Sequence, residues 1–96
     1  MPHELVIVRA AERRLRKLPT QVRKHLLAAT QILRTQPQTG KQLDGALRRF
    51  RSLRTVYRRT HYRVVYEVQS QPLQVIIRAL GTRQNFYRDL QTQKLK

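Results

Sequence analysis

Hydrophobic residues recur with two different periods along this chain, a helical period in the first third and strict alternation in the second half. A short apolar run from Leu5 to Val8 opens the sequence and predicts a first strand. The segment from Ala10 to Leu18 places Leu15 and Leu18 on one side and its charges on the other. This pattern predicts a short amphipathic helix that ends at Pro19.

A second helix is predicted directly after the proline, with Thr20 as its N-cap. Its apolar stripe has spacings of four, three and four residues and consists of Val22, Leu26, Ala29 and Leu33. The helix should end at Gln36-Pro37, because the residue before a proline is disfavoured in the helical region. The two helices then form an αα-hairpin. Residues 36–46 contain two of the three glycines and are predicted to be a loop.

From residue 51 onward the apolar positions alternate, which predicts three strands. One face would carry Leu53, Thr55, Tyr57, Tyr62, Val64, Tyr66, Val68, Leu73, Val75, Ile77 and Ala79. The other would carry Ser52, Arg54, Val56, Arg58, Arg63, Val65, Glu67, Gln74, Ile76, Arg78 and Leu80. The connections Arg59 to His61 and Gln69 to Pro72 are short enough to require antiparallel hairpins. Gly81 is expected to end the last strand.

These elements predict an α+β fold in a single domain that spans residues 1–96. An N-terminal strand and an αα-hairpin precede a three-stranded antiparallel meander, in one sheet with the helices on one face. Because helices cover only one face of such a sheet, the other face should be open to a partner. It is expected to be a basic, concave surface that carries Arg54, Arg58, Arg63, Glu67 and Arg78.

The charge of the chain indicates a polyanionic partner. There are 21 lysines and arginines against 5 acidic residues, a formal net charge of +16. Solubility alone requires a magnitude of roughly 2 to 8 in a small domain. Self-repulsion of this size is destabilising, and a bound polyanion would offset it. Nucleic acid fits this footprint, and an acidic protein that masks the surface fits it equally well.

Several classes of protein are disfavoured by what the sequence lacks. It has no cysteine, and His3 and His25 have no acidic or histidine neighbours at ligand spacing, so we expect no metal site. The glycines are too dispersed to cradle a nucleotide, and no small-molecule cofactor is expected. The apolar run at the N-terminus is too short for a signal peptide or a membrane span. We therefore expect a cytoplasmic protein without a membrane partner.

The order of the predicted elements carries three motifs that together are informative. They are L-D-G at Leu43 to Gly45, Y-R-V-V-Y at Tyr62 to Tyr66, and G-T-R-Q-N-F-Y at Gly81 to Tyr87. In this order the chain resembles the RelE/ParE superfamily of bacterial toxins, and it is closer to the RelE branch. That resemblance implies a ribosome-dependent messenger RNA endoribonuclease that a cognate acidic antitoxin holds inactive. A ParE-like inhibitor of DNA gyrase and a non-catalytic RNA-binding module of the same fold remain as alternatives.

The resemblance also implies a site that binds the scissile phosphate. Arg63 and Arg83 would hold the phosphate, because guanidinium groups stay charged and bind its oxygens bidentately. Arg54 matches a basic residue on the preceding strand, and Tyr87 would stack on a base or assist proton transfer. Further RNA contacts are expected from Lys41, Arg51, Arg58, His61 and Arg78.

Simpler interpretations of the same residues stand beside these expectations. Arg63 could pair with Glu67 four positions along its strand, Tyr87 could cover a core, and His61 could be a solvated turn residue. The sequence also departs from the family pattern. Thr82 stands where many relatives have histidine, and the turn Arg59-Thr60-His61 lacks the glycine that many relatives have before their Y-R pair.

Overall fold

The computed structural model describes residues 2–82, which form one five-stranded sheet and two α-helices. In chain order the elements are β1 (Glu4–Ile7), α1 (Arg9–Arg16), α2 (Thr20–Thr30), β2 (Lys41–Gln42), β3 (Phe50–Tyr57), β4 (Thr60–Ser70) and β5 (Leu73–Thr82). Three single turns of 3₁₀-helix, at Gln31–Arg34, Pro37–Thr39 and Gly45–Leu47, connect α2 to β3 on either side of β2.

The sheet has the strand order β1-β5-β4-β3-β2. Strands β3, β4 and β5 form the predicted antiparallel meander, while β1 pairs in parallel with β5 at one edge. This confirms the α+β class with an N-terminal strand, an αα-hairpin and a meander. The opposite edge was not predicted: β2 pairs with β3 inside the segment that the sequence assigned to a loop. Two residues are too few to show an alternating pattern.

The main core lies between the two helices and one face of the sheet. Leu15 of α1 and Leu26 of α2 are buried against a sheet face that includes Val64, Tyr66 and Ile77. Each of these side chains is at most 5% exposed. The apolar faces that the helical and the twofold periods define therefore pack against each other in this layer, as the sequence predicts.

The helix ends differ in detail from the prediction. α1 ends at Arg16, ahead of Pro19, and its last backbone bonds are of the tighter i→i+3 kind. Pro19 occupies the N-cap position of α2, so Thr20 is the first helical residue and not the cap. The apolar stripe of the second helix continues past Thr30 into the 3₁₀ turn, where Leu33 is fully buried.

A β-bulge reverses the predicted faces at the end of β5. Val65 pairs with Ala79 and Tyr66 pairs with Ile77, so Arg78 is an extra residue in the ladder. A bulge shifts the alternation of every residue beyond it. Leu80 consequently joins the core beneath the helices, while Ala79 turns to the opposite face. The sequence prediction placed these two residues the other way round.

The face opposite the helices is only partly open. Phe50, Val65 and Ala79 form a second buried cluster there, against which Leu43 and Leu47 pack. The segment that leads from β2 to β3 therefore covers the middle of the predicted basic surface. The L-D-G motif lies in this covering segment, with Gly45 in the left-handed region at a φ of 62°.

Both hairpins turn within two residues. Arg58 and Arg59 connect β3 to β4, so β4 begins at Thr60 and includes His61. Gln71 and Pro72 connect β4 to β5 through a cis peptide bond. Strand β5 continues through Gly81, which has a φ of 142°, to Thr82. Gly81 therefore does not end the strand as predicted.

Candidate nucleic-acid interface

Two arginines face each other across the central strands of the open face. Arg54 of β3 is directly opposite Arg63 of β4, and Arg63 is in turn opposite Gly81 of β5. Side chains at opposed positions have Cβ atoms about 5 Å apart. Because glycine has no side chain, nothing on β5 covers the flank of Arg63 in this row. The bulge and the positive φ of Gly81 thus shape the sheet beside the arginine pair.

Arg54 and Arg63 place two like charges at directly opposed positions of the sheet. Like charges at opposed positions destabilise a sheet by roughly 0.2 to 1 kcal/mol. Arg54 is exposed, and no acidic side chain among residues 2–82 forms an ion pair with it. A phosphate between the two guanidinium groups would remove the repulsion and accept several charged hydrogen bonds. The geometry is therefore suited to an anion with oxygens on several sides.

A cleft of about 850 Å³ opens beside this pair, between the central strands and the edge of the sheet. Lys41 of β2 is opposite Ser52 of β3, which lies on the same face as Arg54. The cleft therefore gathers Lys41, Arg54 and Arg63, three of the residues that the sequence predicted. Its walls are formed by residues 39–44, Leu47, residues 52–54 and Arg63.

Buried hydrogen bonds hold the edge of the cleft in place. The hydroxyl of Tyr66 donates to the carbonyl oxygen of Pro37 at 2.6 Å and accepts from the amide of Gly40 at 2.8 Å. Gly40 has ordinary backbone angles, but an added Cβ would lie 2.6 Å from that hydroxyl. Only glycine fits here without displacement. The Tyr66 contact fixes the residues immediately before Lys41.

Tyr66 is fully buried, and this environment favours its neutral form. Burial raises the pKa of Tyr66 above its ordinary value of 10.0, against smaller lowering effects from the Gly40 amide and the charge of Arg51. Alternation in the sequence predicts Tyr66 only as an apolar core residue. Because a buried tyrosine needs hydrogen-bond partners, its hydroxyl is the signal that indicates this structural role.

Arg51 supports the same segment from below. Its Nη1 atom donates to the carbonyl oxygen of Gly40 at 2.8 Å, and the residue is opposite Tyr66 in the ladder. Alternation along β3 places it on the face away from Arg54. This contact gives Arg51 a structural role, whereas its predicted contact with RNA stays a prediction.

At the other end of the open face, the carboxylate of Glu67 lies between two arginines. Glu67 accepts a hydrogen bond at 2.7 Å from Nε of Arg78 and pairs with its other guanidinium nitrogen. Arg49 approaches the same carboxylate at 3.9 Å and lies over the ring of Phe50. The bulge brings Arg78 within reach of Glu67. Arg78 is thus separated from the cleft by the apolar cluster of Phe50, Val65 and Ala79.

The hairpin between β3 and β4 carries two more of the predicted residues, His61 and Arg58. His61 is opposite Val56, on the face of Arg54 and Arg63, and its side chain is exposed. Its imidazole can donate or accept a proton two positions from Arg63. Arg58 lies at the tip, where its guanidinium carbon is 5.4 Å from the centre of the Tyr57 ring. Since Tyr57 packs against the helix-side core, Arg58 is not part of the cleft.

Arg83 and Tyr87, the two remaining predicted catalytic residues, lie outside the described residues. Within residues 2–82, no cluster of three or more potential ligand side chains could hold a metal ion. In the same range, none of the helices has the length and apolar character to cross a bilayer. The described site is thus a cleft with two opposed arginines, the ammonium group of Lys41 and a nearby imidazole, and its lining also includes the carboxylate of Asp44.

The fold resembles that of solved RelE toxins. The structure resembles the RelBE2 toxin-antitoxin complex of Mycobacterium tuberculosis, with a TM-score of 0.74, 26% identity, and coverage of 86% of this chain and 100% of that one. For an arginine double mutant of Escherichia coli RelE in the free state, the TM-score is 0.78 at 20% identity, with coverage of 97% and 98%. The archaeal RelE-RelB complex of Pyrococcus horikoshii gives 0.63 at 24% identity, with coverage of 88% and 98%.

Residues 5–91 match the family model of the ParE-like toxins of type II bacterial toxin-antitoxin systems. The chain belongs to this family. No curated protein matches the sequence. The resemblance to the RelE/ParE superfamily that the sequence motifs indicated is thereby confirmed.

Proposed function

We propose that this chain is a messenger RNA endoribonuclease that acts on the ribosome and inhibits translation. The observation that carries the proposal is the opposition of Arg54 and Arg63 in a cleft that also contains Lys41. Three cations against the single carboxylate of Asp44 leave this open space with a positive charge, which matches a phosphodiester better than a neutral ligand. The net charge of +16 would bring such a protein to RNA rapidly.

Cleavage would follow attack of a ribose 2′-hydroxyl on the adjacent phosphate. The new bond joins the 2′-oxygen to phosphorus, the bond to the 5′-oxygen breaks, and one proton moves from the former oxygen to the latter. Arg63 and Arg54 would stabilise the extra negative charge on the phosphate oxygens. By the family resemblance, Arg83 would share this role and Tyr87 would stack on a base or assist the proton transfer. Alignment of the message by the ribosome would supply several kcal/mol of the barrier.

The proposed physiological partner is an acidic antitoxin. Solved complexes of the neighbours pair a toxin with an antitoxin, including those from M. tuberculosis and P. horikoshii. An acidic segment over Lys41, Arg54 and Arg63 would block the cleft and relieve the repulsion between the two arginines. We further propose that the toxin acts in the cytoplasm, where ribosomes translate.

The proposal is tested by inducing the chain in growing bacteria and mapping the 5′ ends of transcripts. Arg54→Ala and Arg63→Ala should each abolish the new ends while the protein remains folded. Arg13→Ala is the matched control, because Arg13 is an exposed residue of α1. Full cleavage by both cleft variants would refute the site.

Inhibition of DNA gyrase is the second candidate, because the matching family model describes ParE-like toxins. A DNA-break assay on the same induced cells separates the two functions. Breaks with intact messages would select the gyrase inhibitor. Ribosome binding with neither breaks nor cleavage would select a non-catalytic RNA-binding module, which the threonine at position 82 would favour.

A further inference from the structure

The tip of the hairpin between β3 and β4 has an unusual composition for its backbone. Arg58 and Arg59 form a two-residue turn with φ values of 48° and 69°. Two positive φ angles in succession are what a type I′ turn requires, and asparagine followed by glycine is the preferred sequence for it. Arginine has a Cβ that opposes this conformation, so the turn is strained at both positions.

Nothing in the described fold compensates this strain by burial. Both arginines are exposed, and each would be replaced by asparagine or glycine without loss of core contacts. The Arg58 guanidinium lies over the ring of Tyr57, which itself contacts the ring of His25 at a centroid distance of 5.1 Å. The Arg58 guanidinium thus lies beside an aromatic pair while its charge stays at the surface. Strain that the core does not need is a reason to look for a ligand.

We propose that the Arg58-Arg59 tip is a second RNA-binding point that contacts the sugar-phosphate backbone outside the cleft. This inference rests on the proposed function, since the tip and the cleft would bind the same RNA or the same ribosome with its message. The tip is four residues along β3 from Arg54, about 13 Å at the usual rise of a strand. RNA seated at the arginine pair and running along the hairpin therefore reaches the tip within a few nucleotides.

Contacts of this kind set affinity and not sequence preference. Each phosphate contact to a single strand contributes about 0.7 to the slope of log affinity against log salt concentration. Loss of two contacts should therefore make the slope shallower by roughly 1.4. Asparagine at position 58 and glycine at position 59 would relieve the backbone strain and also remove both charges. Such a variant should therefore be more stable than the parent and bind RNA more weakly.

The test compares the parent with the double variant Arg58→Asn/Arg59→Gly and the charge-preserving control Arg58→Lys/Arg59→Lys. Binding is measured between low and high KCl with two probes, a single-stranded RNA oligonucleotide and ribosomes that carry a message. The first variant should unfold at a higher urea concentration than the parent and bind at least one probe with the shallower slope. The lysine control should keep the parent slope without the gain in stability.

The two probes distinguish the sources of the phosphates. A shallower slope with the oligonucleotide assigns the tip to the message, whereas an effect with ribosomes alone assigns it to ribosomal RNA. A stabilised variant with unchanged affinity and slope on both probes would overturn the inference while leaving the cleft intact. A parent chain that binds neither probe would overturn the proposed function together with the tip.

Discussion

Replacement of Tyr66 by phenylalanine tests how the edge of the cleft is held. The substitution removes one oxygen atom and leaves the ring in the core. It deletes the 2.6 Å bond to the Pro37 carbonyl and the 2.8 Å bond from the Gly40 amide. Both backbone groups belong to buried residues, and a buried unsatisfied group costs about 1 to 3 kcal/mol. We expect the free energy of unfolding to fall by about 2 to 4 kcal/mol.

Urea unfolding measures this change. With a mid-range m-value of about 2 kcal/mol per molar, the midpoint should fall by about 1 to 2 M. The matched control is Tyr62→Phe. Tyr62 is also buried and lies four residues earlier on the same face of β4, and its side chain makes no hydrogen bond within residues 2–82. A loss below about 0.5 kcal/mol in Tyr66→Phe, or an equal loss in the control, would refute the role of this hydroxyl.

The pH dependence supplies an independent check. The pKa of Tyr66 is raised in the folded state by burial, so the unfolded chain releases this proton first as the pH rises. The folded state therefore keeps its full stability below about pH 10 and loses it progressively above that value. Tyr66→Phe should show a smaller alkaline loss than the parent. Equal alkaline slopes in urea titrations at increasing pH would contradict this assignment.

Gly40→Ala probes the same contact from the other side. Its Cβ would meet the Tyr66 hydroxyl at 2.6 Å and the carbonyl oxygen of Ser52 at 3.0 Å. Because the two substitutions act on one contact, their effects should not add in a double-mutant cycle. The coupling should exceed about 0.5 kcal/mol, and additivity within error would show that the segment is held by other groups.

Three further substitutions test the charges and the backbone of the open face. Arg54→Thr should leave stability unchanged or raise it by a few tenths of a kcal/mol in urea unfolding, while RNA binding falls; a clear loss of stability would contradict the like-charge argument. Glu67→Gln should destabilise the protein by about 1 kcal/mol and steepen the salt dependence of RNA binding. Glu12→Gln, in the exposed ion pair of α1, is the control, and equal effects of the two substitutions would contradict the role of Glu67 on the open face. Gly81→Ala should cost about 1 to 3 kcal/mol through its φ alone, and a neutral urea midpoint would refute this backbone requirement.

The sequence predicted the parts of the fold that depend on repeated patterns. Alternation around Val64 and the helical stripe around Leu26 each extend over many residues, so single exceptions do not obscure them. The bulge at Arg78 depends on one residue in a ladder with a distant partner, and alternation alone cannot locate it. The short strand at Lys41 likewise exists because β3 offers it a pairing partner.

The candidate site was predictable to a similar extent. Arg54 and Arg63 were assigned to one face by alternation, and the structure adds that they are directly opposite each other. The separation of Arg78 from them was not predictable, because it depends on Leu43 and Leu47 covering the middle of the face. Local pattern thus assigned the candidate residues to a face of the sheet, while long-range packing determined which of them share a cleft.

Two local features of the β3-β4 hairpin are unfavourable in themselves, and both lie at one end of the sheet. They are the like charges of Arg54 and Arg63 at opposed positions and the strained turn at Arg58 and Arg59. At the other end the carboxylate of Glu67 pairs with two arginines, Arg49 and Arg78. A sequence selected for stability alone would place an asparagine-glycine turn at the tip of this hairpin. Conflicts between local preference and fold are expected where a ligand supplies the missing energy. Their occurrence at the same end of the sheet, one in the cleft and one beyond it, therefore supports an anionic ligand there.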